Sequence, residues 1–239
     1  MFFKKIIFIA LIVCWCFGNT AGAQSSLGSW NIINVRAELN KRWSFFAEGQ
    51  LRSLRFYDHF HYYEYKGGPV FKLDNNFSFT TGFGRYNTYG SGGNFKRPTQ
   101  QREYRSWLQV NMKNRIKRVE IEHRYRAEQR FTSRGYRNRF RYRLSANVPL
   151  NGKDAARPLY LQPSNEIFLT NRAPFFERNR SAVNLGYVLS KKFTMQTGIL
   201  HQYDYRLTDE TGSTFFQIAG LFTLDLKKNK AGVRGDVED

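Results

Sequence analysis

The chain has 239 residues, enough for one large β-domain or two small ones, and no linker-like stretch divides its body. Its 38 Lys and Arg against 19 Asp and Glu give a formal net charge of +19, which points to a polyanionic partner: nucleic acid, anionic lipid, lipopolysaccharide or an anionic solute. Past the first two dozen residues no apolar run is long enough for a membrane-spanning helix, which excludes a helical membrane protein and leaves either a soluble exported domain or a closed barrel.

The N-terminus sets the compartment. Met1-Phe2-Phe3-Lys4-Lys5 is a short basic region, Ile6 to Phe17 is apolar, and Ala21-Gly22-Ala23 fits a small-x-small cleavage site. These features predict a secretory signal peptide over 1–23, cleaved after Ala23 to leave Gln24 first. Both cysteines, Cys14 and Cys16, fall inside it, so the mature chain is expected to have no thiol and no disulfide. A lipid-modified Cys14 is disfavoured by the bulky Val13 before it.

From there, period-two alternation recurs in segments separated by turn residues. Irregular strands are predicted at 28–39, 60–73, 77–87 and 158–171. In Arg42 to Arg52 the apolar face is Trp43, Phe45, Ala47, Gly49 and Leu51; in Gln101 to Lys113 it is Tyr104, Leu108, Val110 and Met112. Arg118 to Phe131 carries Arg118, Glu120, Glu122, Arg124, Arg126, Glu128 and Arg130 on one face. The next segment aligns Arg137, Arg139, Arg141 and Arg143 opposite Tyr136, Phe140, Tyr142, Leu144 and Val148. On a helix these arginines would scatter around the axis; on a strand they form a row. Further segments span 178–189 and 193–206. The last, 215–226, puts Phe222, Leu224 and Leu226 on one face and resembles a C-terminal signal read by the outer-membrane assembly machinery. Residues 227–239 read as a polar tail.

Short turns are predicted at Asn40-Lys41, Asp74-Asn75-Asn76, Lys113-Asn114-Arg115, Asn151-Gly152-Lys153 and Ser190-Lys191-Lys192, with longer links at 53–59, 88–99, 132–135, 172–177 and 207–213. The segments number eleven. An even count is the rule for bacterial barrels, so ten to twelve strands are expected, with twelve preferred.

The arginine rows decide which face is which. Near the middle of a bilayer each outward arginine would cost about 2–4 kcal/mol. The charged row is therefore assigned to the lumen, and Tyr136, Phe140, Tyr142, Leu144, Val148, Phe222, Leu224 and Leu226 to lipid. The bland account of the row is an internal salt-bridge ladder. The sharper one is an anion-favouring constriction, and a third is binding of lipopolysaccharide phosphates nearer the rim. Tyr57, Phe60, Tyr62, Tyr63 and Tyr65, with Tyr86, Tyr89, Tyr203 and Tyr205, read as interfacial girdles.

Four histidines, His59, His61, His123 and His201, are the candidates for catalysis or metal binding, but no nucleophile lies in a recognisable context and His59 with His61 lacks a third ligand. No catalytic, cofactor-binding or metal-binding residue is assigned. Nucleic-acid binding is disfavoured by the export signal and by the confinement of arginines to one sheet face.

Gly28-Ser29-Trp30, Asn40-Lys41-Arg42-Trp43 followed by Phe45, Glu48 and Gln50-Leu51-Arg52, Glu122-His123-Arg124 and Arg137-Asn138-Arg139 resemble the exported bacterial barrels grouped as domain of unknown function 2490, over roughly 28–226. The resemblance implies an outer-membrane barrel with no established activity. The expectation is an all-β, antiparallel up-and-down transmembrane barrel over 24–226, with an Arg/Glu-lined lumen. It would be structural or pass small solutes, needs no cofactor, and has outer-membrane lipid, lipopolysaccharide and the assembly machinery as partners. The alternative is a lipid-acting hydrolase of the same membrane.

Overall fold

The alternation resolves into eleven β-strands. They are β1 (Gly28–Glu38), β2 (Trp43–Arg55), β3 (Asp58–Lys72), β4 (Phe77–Tyr89), β5 (Thr99–Ile116), β6 (Val119–Thr132), β7 (Gly135–Pro149), β8 (Leu159–Thr170), β9 (Phe176–Ser190), β10 (Phe193–Asp204) and β11 (Thr211–Asp225). The structure, a computed structural model, describes residues 26–90, 93–96, 98–152, 155–205 and 211–227. The expected signal peptide with its cysteines, and the tail past Lys227, lie outside the described residues.

Each strand pairs antiparallel with its sequence neighbours, and β1 closes the barrel against β11. That last pair is parallel, in register from Gly28↔Phe215 to Glu38↔Asp225. The preference for twelve strands is thereby corrected. An odd number of up-and-down strands brings the first and last together in the same direction. A parallel ladder is slightly weaker per residue than an antiparallel one, yet it still pairs every backbone group and leaves no edge. The start of β1 and the end of β11 consequently lie at opposite ends of the barrel, here called the Gly28 end and the Asp225 end.

Side-chain turn chemistry fixes several hairpins at the Asp225 end. Asn40 Oδ1 accepts the N–H groups of Arg42 and Trp43 at 2.9 and 2.8 Å, and Asp74 Oδ1 accepts those of Asn76 and Phe77, both at 2.7 Å. The Ser190 hydroxyl does the same for Lys192 and Phe193 at 3.2 and 3.1 Å. One expected turn is misplaced. β5 runs through 113–115 to Ile116, and the chain reverses at Lys117, which adopts a positive φ of 55°. Arg118 therefore belongs to the turn: it is exposed, and its guanidinium donates to the Asn151 carbonyl. It does not join the interior row. The expected contrast of short and long connections also fails. At the Gly28 end, β2–β3 and β6–β7 are joined by 56–57 and 133–134 alone, while β7–β8 at the Asp225 end takes the longer segment 150–158.

Two bulges re-aim interior residues. Between β8 and β9, Phe168 pairs with Arg178 and Leu169 with Phe176, leaving Glu177 as the extra residue. Between β2 and β3, Arg52 pairs with Tyr62 and Ser53 with Phe60, leaving His61 extra. The interior also holds apolar inserts, contrary to a uniformly polar lumen: Phe46, Val70 and Trp107 form one cluster, and Trp30, Ala182, Leu200 and Phe215 another. Gly82 makes the first possible, since a Cβ there would lie 2.3 Å from the Trp107 ring.

The parallel closure is testable directly. In a chain processed at Ala23, and so free of native cysteine, Ile33→Cys with Gly220→Cys places thiols at paired positions. Oxidation should give an intramolecular cross-link and a mobility shift after denaturation, whereas the shifted pair Ile33→Cys with Phe216→Cys should not.

Candidate functional site

Inside the barrel the arginines of β6 and β7 meet head-on. Arg126 pairs across the ladder with Arg141, Arg124 with Arg143, and Arg130 with Arg137. Like charges directly opposite one another repel, so the arrangement holds only because carboxylates are interleaved. Glu128, whose side chain is 0% exposed, lies 2.6 Å from Arg139, 2.7 Å from Arg141 and 3.5 Å from Arg126. Glu166 of β8 receives Arg124 at 2.6 Å and Arg141 at 2.8 Å. Glu177, turned inward by its bulge, holds Arg130 at 3.0 Å and Arg139 at 3.1 Å. Glu103 of β5 is 2.6 Å from Arg105 and also pairs with Arg130. Shared carboxylates thus tie β5 through β9 into one lattice.

The outer members of the row are looser. Arg143 reaches Glu122 at 3.4 Å, and Glu120 pairs with Lys113 at 2.9 Å. Arg137 lies exposed at the mouth of the Gly28 end, where it lines a recess with Arg130, Arg134 and Arg178. Opposite the row, Tyr136, Phe140 and Leu144 point outward and are exposed, as are Phe222, Leu224 and Leu226, while Tyr142 and Val148 are half-buried on the same outer wall. Leu226 falls one residue past the end of β11.

A second feature crosses the interior. The Arg180 guanidinium of β9 lies 4.8 Å from the Phe168 ring and 4.8 Å from the Trp30 ring. The Arg52 guanidinium of β2 lies 3.4 Å from the Trp30 ring and 4.1 Å from the Tyr62 ring. Phe168, Arg180, Trp30, Arg52 and Tyr62 thus alternate aromatic and cation from β8 to β3, each contact a favourable meeting of guanidinium and π-face. Phe168 is 1% exposed and Trp30 3%, so both rings are packed against their neighbours across the waist of the barrel. The Trp30 indole N–H donates to Gln50 at 2.9 Å, and Arg180 Nε donates to Gln202 at 2.9 Å.

This waist separates two chambers that share Gln50, Lys66, Arg141 and Arg180 in their walls. The chamber at the Gly28 end has a volume of about 770 Å³. Arg52, Lys66, Arg105, Arg130, Arg134, Arg139, Arg141, Arg178 and Arg180 line it, against the carboxylates Glu64, Glu103, Glu177 and Asp204. The smaller chamber, about 390 Å³, is also dominated by cations, among them Arg36, Arg124, Arg126 and Arg143.

The expected girdle position of Tyr62 and Tyr86 is corrected. Tyr62 and Tyr86 are interior, stacked on Arg52 at 4.1 Å and Arg105 at 3.6 Å. Their parity with Glu64 and Lys66, and with Thr88, was the available signal. The histidines do not converge. His123 shares a 2.9 Å hydrogen bond with the Tyr142 hydroxyl and His201 one of 3.0 Å with Thr214, both on the outer wall. His59 pairs with Asp58 at the β2–β3 turn, and His61 lines the larger chamber. Among the described residues no group of three or more His, Cys, Asp or Glu is placed to hold a metal ion.

Charge removal at the centre of the lattice should be costly. Glu128→Ala leaves buried arginines uncompensated and is expected to lower unfolding stability by about 3–5 kcal/mol. Glu120→Ala, where the carboxylate is 25% and its partner Lys113 41% exposed, should cost no more than about 1 kcal/mol. Urea titration of the refolded protein by intrinsic tryptophan fluorescence measures both.

No curated protein and no solved structure matches the chain. The family model described as protein of unknown function (DUF2490) matches residues 27–212, which takes in the whole lattice, the aromatic–guanidinium stack and every strand before β11, and the chain belongs to that family.

Proposed function

We propose that the protein is an outer-membrane barrel whose cation-rich interior takes up small anions and throttles their passage at the packed waist. One observation carries the reading: the 770 Å³ chamber is walled by nine cationic side chains against four carboxylates. Such a surplus, confined between low-dielectric walls, concentrates anions and excludes cations.

The membrane assignment draws support from the opposite face. Leu108, Ile33, Phe83 and Phe140 are 68%, 61%, 57% and 54% exposed on the outer wall, and a girth of such residues is untenable in water. A closed barrel is one of the two backbone solutions that a bilayer accepts. The C-terminal strand, with Phe222 and Leu224 outward, suits insertion by the assembly machinery and would direct the Asp225 end to the periplasm, leaving the larger chamber open to the outside.

Planar-bilayer recording tests the proposal. The parent protein should conduct weakly, with a reversal potential under a KCl gradient that reports anion preference. Replacing the waist aromatics, Trp30→Ala with Phe168→Ala, should raise the conductance severalfold and keep that preference. Cation-selective current, or a waist variant that conducts no better than the parent, contradicts the proposal.

A further inference from the structure

The outer wall carries few charges on its strands, and two of them are adjacent. Arg85 of β4 and Arg102 of β5 sit on the outward face of one ladder, where Arg85 pairs with Tyr104 and Asn87 with Arg102. Positions two apart on a strand share a face, so Arg85, Asn87 and Arg102 form one outward cluster toward the Gly28 end. Across the other ladder of β4, Arg85 meets Tyr65 and Asn87 meets Tyr63. Tyrosines, and no carboxylate among the described residues, therefore flank the two cations.

The cluster is chemically incomplete. Asn87 is 2% exposed, and its amide nitrogen has no hydrogen-bond partner. The Arg85 guanidinium hydrogen-bonds Tyr65, but its Nε is likewise buried and unpartnered. Buried donors without acceptors are rare in folded proteins because each forfeits its hydration for nothing. Two open donors, with the exposed Arg102 guanidinium on the same face, call for a multidentate anion with oxygen acceptors.

An apolar groove leads to the same arginine. Ile33, Val35, Ala47, Gly49 and Phe83 line an outer recess of about 460 Å³ that ends at Arg85. Its floor is kept low by small residues: a Cβ at Gly49 would meet nothing within 4 Å. Seating a second copy of the chain here would bury uncompensated guanidinium groups at the contact. A phosphate with an attached hydrocarbon chain neutralises the arginines and fills the groove at once.

We propose that Arg85, Arg102 and Asn87 hold the phosphate of an anionic membrane lipid, with one acyl chain lying in the groove beside Gly49. The inference rests on the membrane reading above, since it takes the outer wall to face lipid. It gives that wall a specific lipid site in the leaflet at the Gly28 end, where outward arginines are tolerated near headgroup level.

Native mass spectrometry in detergent micelles tests the site, using dioleoyl phosphatidic acid as the probe, with dioleoylglycerol and inorganic phosphate as comparators. The parent should retain phosphatidic acid and neither comparator. Arg85→Gln with Arg102→Gln should weaken binding about tenfold or more, the loss expected for charge-assisted hydrogen bonds. Gly49→Leu, which fills the groove without touching the cations, should also weaken it; this variant, and Arg102→Gln alone at an exposed position, carry the test if the double variant does not fold. Equal affinity across parent and folded variants overturns the site, and so does displacement of the lipid by inorganic phosphate. Co-flotation of the parent with vesicles separates the two levels: a parent that floats, with variants unchanged in affinity, overturns this site alone, whereas a parent that does not float overturns the membrane reading as well.

Discussion

Repulsion between facing arginines is the constraint that organises this barrel. β6 and β7 set Arg124, Arg126 and Arg130 against Arg143, Arg141 and Arg137, and no ladder could hold those pairs unaided. Glu128 relieves the centre, Glu166 and Glu177 relieve it from β8 and β9, and Glu103 from β5. Each of these carboxylates serves two or more arginines, so the strands that carry them cannot shift register independently. The bulge that frees Glu177 follows the same logic: a perfectly regular β9 would have turned that side chain outward. The lattice does not itself stabilise as a hydrophobic core would, because desolvating so many charges offsets much of their attraction. Its consequence is specificity, in that one alignment of five strands satisfies it.

Aromatic faces supplement the carboxylates, since Arg52 and Arg105 also pair with Glu64 and Glu103. Arg180, Arg52 and Arg105 lie against Trp30, Phe168, Tyr62 and Tyr86. The waist is thus made of the same residue type that lines the chambers, so a packed middle and cation-rich ends arise from one composition. On the proposed reading this couples selectivity to restriction: the groups that attract an anion into the larger chamber are the groups packed across its path. The outer wall repeats the theme in miniature at Arg85, which among the described residues pairs across its ladders with Tyr65 and Tyr104.

Local chemistry was legible in the sequence and distance across the barrel was not. The strict alternation from Val119 to Val148 announces two paired strands, and Asn40, Asp74 and Ser190 announce hairpins, because a strand's two faces and a turn's hydrogen bonds are decided within a few residues. The eleven segments were countable as they stand. The preference for twelve came from a parity rule, and the parallel pairing of Gly28–Glu38 with β11 joins residues nearly two hundred positions apart, beyond any local signal. For the same reason nothing in the sequence tied Glu166 or Glu177 to the arginines of β6 and β7. Tyr62 was assigned to the girdle, and Phe168 to no face, because irregular alternation around bulges hides which face an aromatic occupies. Arg118 was drawn into the row by its spacing alone, which cannot tell the last residue of a turn from the first of a strand.

The central claim is that the wall between Arg139 and Leu144 divides charge from hydrocarbon residue by residue. A lipid-soluble diazirine, photolysed in vesicles containing the folded protein and mapped by peptide sequencing, measures that division without altering the chain. The account predicts carbene adducts on Phe140, Tyr142 and Leu144 and none on Arg139, Arg141 and Arg143. Adducts spread evenly over both sets, or absent from both, would contradict it.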